Sequence, residues 1–108
     1  MAESVVVVAT VVPKPGREAE TEAAFLAAVA ATHAQDEGCE LYALHRSVRG
    51  PDGFVVIEKW ASTEALAAHG AGAAFTALSA RFEDLLAEPL GVTVMAPIPA
   101  GDEKLGLL

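Results

Sequence analysis

An α+β fold with an antiparallel, ferredoxin-like sheet is predicted by three observations. Residues 4–12 (SVVVVATVV) form a β-branched run that no helix favours and that Pro13 and Pro15 close. Two stretches rich in Ala, Leu and Glu, at 17–35 and 63–87, carry helical spacing. Between them, Gly50-Pro51-Asp52-Gly53 joins two strand-like segments as a hairpin turn. With 108 residues and 53% hydrophobic content there is material for one core, so a single domain is expected over 1–96 with a Pro- and Gly-bearing tail at 97–108.

Taken in order, Pro15-Gly16 turns the chain out of the first strand into a helix that ends before Gly38. Its expected apolar stripe is Ala19, Ala23, Leu26 and Ala30, widened by Phe25 and Val29, with Glu18, Glu20 and Glu22 at the positive end of the dipole. The hairpin pairs residues 39–48 (CELYALHRSV) with 54–60 (FVVIEKW). Ser62 is placed to cap a helix from Thr63 to about His69, which Gly70 and Gly72 interrupt. A further helix over 73–87 presents Phe75, Leu78, Phe82, Leu85 and Leu86, and Pro89 ends it. Residues 91–96 (GVTVMA) make the last strand.

Strand, helix, strand, strand, helix, strand is the split βαβ order, and right-handed crossovers put both helices on one face of the sheet. The first strand nevertheless alternates Val5, Val7 and Ala9 with Val6, Val8 and Thr10, so both of its faces are largely apolar. The return strand does the same with Phe54 and Val56 against Val55 and Ile57. An uncovered patch on the order of hundreds of Å2 is more than soluble monomers usually expose, so a homodimer through the sheet faces is expected. The other cover available is the tail itself.

A formal charge of −8, from seven basic and fifteen acidic residues, argues against nucleic acid or an anionic membrane as partner. Cys39 is the lone cysteine, which excludes an intrachain disulfide and suits a reducing, cytoplasmic setting. The apolar run of residues 1–10 lacks the basic start and cleavage site of a signal peptide, and no stretch reaches the roughly 18 apolar residues that cross a bilayer. His33, His45 and His69 fall on separate elements, so no metal site is read. Gly70-Ala-Gly72 lacks the strand and lysine of a phosphate loop, and no serine nucleophile elbow occurs.

Pro15-Gly16, Glu37-Gly38-Cys39, Tyr42, Phe54 through Trp60, and Ala65-Leu66-Ala67-Ala68-His69 followed by Phe75 resemble the antibiotic biosynthesis monooxygenase family, over about residues 5–96. The resemblance implies a dimeric α/β barrel and oxygenation of small aromatic, often quinol-like, molecules, either without a cofactor or directed at haem. Many relatives carry a second histidine just before the residue matching Phe75, where this chain has Ala74. The family often has an aromatic residue where His45 stands.

Oxygenation without metal or flavin needs a substrate anion rich enough in electrons to reduce O2, and hence a base in a dry pocket. His69 is the candidate base, or else a cap on its helix terminus. Trp60 would wall an aromatic pocket or simply fill the core. Tyr42 and Thr10 offer hydroxyls, His45 a second imidazole, and Phe75 and Phe82 an apolar wall or a core stripe. The readings left open are a cofactor-free monooxygenase, a non-catalytic dimeric barrel that binds a small apolar ligand or serves a stress response, and a haem-binding, haem-degrading oxygenase that uses His69 as axial ligand.

Overall fold

The computed structural model describes residues 3–108, so the first two positions of the expected domain and of the apolar run lie outside the described residues. In chain order it comprises β1 (Val5–Val11), α1 (Glu18–Gln35), β2 (Cys39–Arg46), β3 (Phe54–Trp60), α2 (Thr63–Ala71), α3 (Ala73–Ser79), α4 (Phe82–Leu85) and β4 (Gly91–Met95). The four strands form one antiparallel sheet in the order β2-β3-β1-β4. Each βαβ crossover thus skips one strand, as the ferredoxin-like topology requires.

Strict alternation sorts the side chains. Val5, Val7, Ala9 and Val11 of β1 and Phe54, Val56, Glu58 and Trp60 of β3 are buried beneath the helices. Their neighbours Val6, Val8, Val55 and Ile57 are only half-buried, on the opposite face. α1 packs against β2 and α3, and α2 against β3. The tail reaches the open face at one point, where Lys59 Nζ donates to the Leu108 carbonyl oxygen (2.7 Å). It does not seal that face, since Ile98 and Leu105 remain 85% and 89% exposed.

Three local expectations are corrected. α1 buries Thr21, Phe25, Ala28 and Thr32, whereas Ala19, Ala23, Leu26 and Ala30 face outward. Counting apolar residues misjudged that face because a threonine can bury its hydroxyl by bonding within the helix, as Thr21 Oγ1 does to the Arg17 carbonyl (2.8 Å). α2 runs through Gly70 and breaks at Gly72. The helix expected over 73–87 stops at Ser79 and resumes only as the single turn α4. Leu85 and Leu86 are both buried, which adjacent residues on one straight helix achieve poorly. The chain instead leaves the helix and pairs with the end of β1, Lys14 N–H donating to the Leu85 carbonyl and Ala87 N–H to that of Val12 (both 2.8 Å).

Candidate active site

Between the helices and the covered face lies a cavity of about 240 Å3. Its floor is Val7, Ala9, Tyr42, Val56, Glu58 and Val92 of the sheet, and its walls and roof are Phe25, Leu66, His69, Phe75, Leu78 and Leu90. Nearly all of this is hydrocarbon. The polar contribution comes from three side chains, Tyr42, Glu58 and His69.

The sheet register sets two of them side by side. Tyr42 pairs with Glu58 across β2 and β3, and partners directly opposite on one face stand about 5 Å apart at Cβ. Glu58 is 4% exposed, a placement a carboxylate takes only with partners, and Trp60 supplies one: its Nε1 donates to Oε1 at 2.9 Å. Burial raises the pKa of Glu58, against which the Trp60 hydrogen bond and the nearby His69 act in the lowering direction. Burial likewise pushes the Tyr42 phenol well above its usual range.

His69 enters from the last turn of α2, itself started by Ser62, whose Oγ accepts from Ala65 N–H (3.0 Å). The imidazole lies 4.6 Å, centroid to centroid, from the Trp60 ring, 5.3 Å from Tyr42 and 5.5 Å from Phe75. Nδ1 donates to Asp36 Oδ2 at 2.6 Å, and both side chains are nearly buried. Asp36 caps the C-terminus of α1, from where Gly38 brings the turn against α2. Gly38 has φ +82°, and a Cβ there would come within 2.6 Å of the Ala65 Cβ, so only glycine permits this approach. With Nδ1 donating to a carboxylate, Nε2 is the ring nitrogen left to exchange a proton with another group.

His69 Nε2, Glu58 Oε2 and the Tyr42 hydroxyl have no hydrogen-bond partner among the described residues. None of them is sealed in protein, because Thr32 Oγ1 is the buried polar side-chain atom found without a partner. These three atoms therefore open onto the cavity they line.

Of the residues singled out from sequence, His69, Tyr42 and Phe75 line the cavity. Trp60 sits behind it, fully buried, touching His69 and holding Glu58. Phe82 is one layer further back, 6.0 Å from both Phe25 and Phe75. Thr10 and His45 do not join them: alternation puts both on the open face, where both are exposed. Ala74 is buried beside α1 and does not line the cavity. Asp36 and Glu58 were missed. A buried carboxylate could have been suspected from Glu58, the charged residue at an inward position of an otherwise apolar alternation, but the Asp36 contact joins residues 33 positions apart and had no local signal.

A ferredoxin-like domain with an apolar cavity and a histidine–carboxylate pair in its wall is the class that the fold and site define. The chain belongs to the antibiotic biosynthesis monooxygenase family, whose model matches residues 4–81. It is 33% identical over 98 residues to the Mycobacterium tuberculosis (strain H37Rv) protein named "Putative monooxygenase Rv0793", covering 91% of this chain and 95% of that one. The structure of Rv0793 superposes with a TM-score of 0.83 at 29% identity, over 93% of this chain and 100% of that one. The structure of a Caulobacter crescentus CB15 protein named "putative antibiotic biosynthesis monooxygenase" gives a TM-score of 0.83 at 31% identity, over 90% of this chain and 92% of that one. No helix among the described residues is long and apolar enough to cross a membrane.

Proposed function

We propose that this protein is a cofactor-independent monooxygenase acting on a small aromatic or quinol-like substrate in the 240 Å3 cavity, with His69 as base, and that it works as a homodimer joined through the open sheet faces. The observation that carries the reading is His69 itself, tied to Asp36 through Nδ1 while Nε2 opens into an apolar chamber. A cavity of about 150 Å3 accommodates benzene, so this one has room for a fused two-ring molecule.

The chemistry follows from those groups. Nε2 takes the proton of an acidic substrate O–H or C–H, and Asp36 stabilises the imidazolium that forms. The resulting anion, held against hydrocarbon walls, passes one electron to O2, and the substrate radical and superoxide combine to form a C–O bond. His69 returns its proton to the peroxide. Where the attacked carbon still bears hydrogen, loss of water from the hydroperoxide leaves a carbonyl, with one oxygen atom in the product and one in water. A cavity of about 240 Å3 is too small to enclose a haem.

Oxygen uptake with anthrones, quinols and flavonols tests the reading. A turned-over substrate should show uptake that falls on the order of 10²- to 10⁴-fold in His69→Ala. Uptake no faster with protein than without it, across the panel, would leave a non-catalytic barrel that binds a small apolar ligand.

A further inference from the structure

The polar side chains of the cavity are neighbours, and each brings a different hydrogen-bonding group. Tyr42 and Glu58 are cross-strand neighbours on the floor, and the His69 ring approaches from α2, 5.3 Å from the Tyr42 ring and tilted against the Trp60 that holds Glu58. In the tautomer of an uncharged imidazole that donates to Asp36 through Nδ1, Nε2 is an acceptor. Glu58 Oε2 is the free oxygen of a carboxyl whose Oε1 is engaged by Trp60. The Tyr42 hydroxyl is a donor without a partner among the described residues. Val7 stands opposite Glu58 on its other side, and beyond it Ala9, Phe25, Leu78, Leu90 and Val92 offer no polar side chain.

We propose that the cavity selects an aromatic diol whose two hydroxyls are adjacent on one ring edge: one hydroxyl donates to His69 Nε2, the other to Glu58 Oε2, and Tyr42 donates to a hydroxyl oxygen. This rests on the reading of the cavity as the substrate pocket, and it narrows the substrate class. The remaining ring carbons then lie among the apolar residues. A diol with hydroxyls at opposite ends of the molecule cannot be served in this way. One hydroxyl would lie against hydrocarbon side chains without a protein partner, a loss that its ring, which is the same size, does not offset.

Isomeric naphthalene diols separate the two cases, since 2,3- and 2,6-dihydroxynaphthalene have the same atoms and nearly the same apolar surface. Titration calorimetry on the full chain under nitrogen should show the 2,3 isomer binding on the order of tenfold or more tighter than the 2,6 isomer. In Glu58→Gln, which keeps the shape and an acceptor for Trp60, the isomer ratio should shrink several-fold while 2-naphthol, with its single hydroxyl, binds within about threefold of its original affinity. Equal binding of the two isomers, no binding of either, or an unchanged ratio in a folded Glu58→Gln would overturn the proposal. Should that variant fail to fold, the isomer ratio in the unaltered protein decides alone. Selective binding of the 2,3 isomer with no oxygen uptake in air would support this inference while removing the oxygenase reading.

Discussion

The two faces of the sheet are built from the same β-branched vocabulary, yet they serve different ends. On the covered face, Val5, Val7, Ala9, Val56 and Trp60 are packed under helices, and the chain leaves a cavity there with three polar side chains in its lining. On the open face, Val6, Val8, Val55 and Ile57 are only half-buried, while Thr10 and His45 meet solvent. A polar atom on the first face is expensive to keep and so has to be explained by a partner or a ligand. A polar atom on the second face costs little. That contrast is why His69 and His45, alike as residue types, carry different weight.

The sharpest test of the contrast is the residue that ties the covered face together. Trp60 is fully buried, packs against His69 and donates to Glu58, so Trp60→Ala opens a large void and strips a buried carboxyl of its donor. A loss of about 3–5 kcal/mol in denaturant unfolding is expected. A loss below about 1 kcal/mol would mean that this face is not the core.

The open face breaks differently. Ile57 sits at its centre, on β3 between β1 and β2, so Ile57→Lys should leave the far-ultraviolet circular dichroism unchanged. If two copies join through this face, as proposed, the same change converts a species of twice the 11.1 kDa chain mass into a single chain in sedimentation at micromolar concentration. A variant that still sediments as a pair places the contact elsewhere, and an unaltered protein that sediments as a single chain removes the dimer.

Strand order, the hairpin and the burial of alternate β1 and β3 residues were legible in the sequence because period two and turn chemistry are local signals. The cavity was legible only in part. His69, Tyr42 and Phe75 stood out as chemistry-bearing residues, but which face Thr10 and His45 take depends on which face the helices cover, and α1 hid its buried side behind two threonines. The Asp36–His69 contact needed the tertiary fold outright. It exists because Gly38 lets the end of α1 approach α2, a steric fact about Ala65 that no spacing within either helix records.

The smallest expected effect is the most specific to the covered face. Burial raises the pKa of Glu58 in the folded protein, so between its unfolded value of 4.5 and the higher folded one the native state binds more protons than the unfolded chain. Unfolding free energy then falls as pH rises through that window, and above it the cost of burying the charge is fully present. Glu58→Gln cannot ionise and escapes this cost, so its melting temperature relative to the unaltered protein should be higher at pH 7 than at pH 4. The exposed Asp84, whose pKa is lowered first by its hydrogen bonds from Arg17, has the opposite sign: its contribution is present at neutral pH and fades on acidification. A pH-independent difference for Glu58→Gln would place its carboxyl in water, and with it would go the distinction between the two faces on which the cavity chemistry depends.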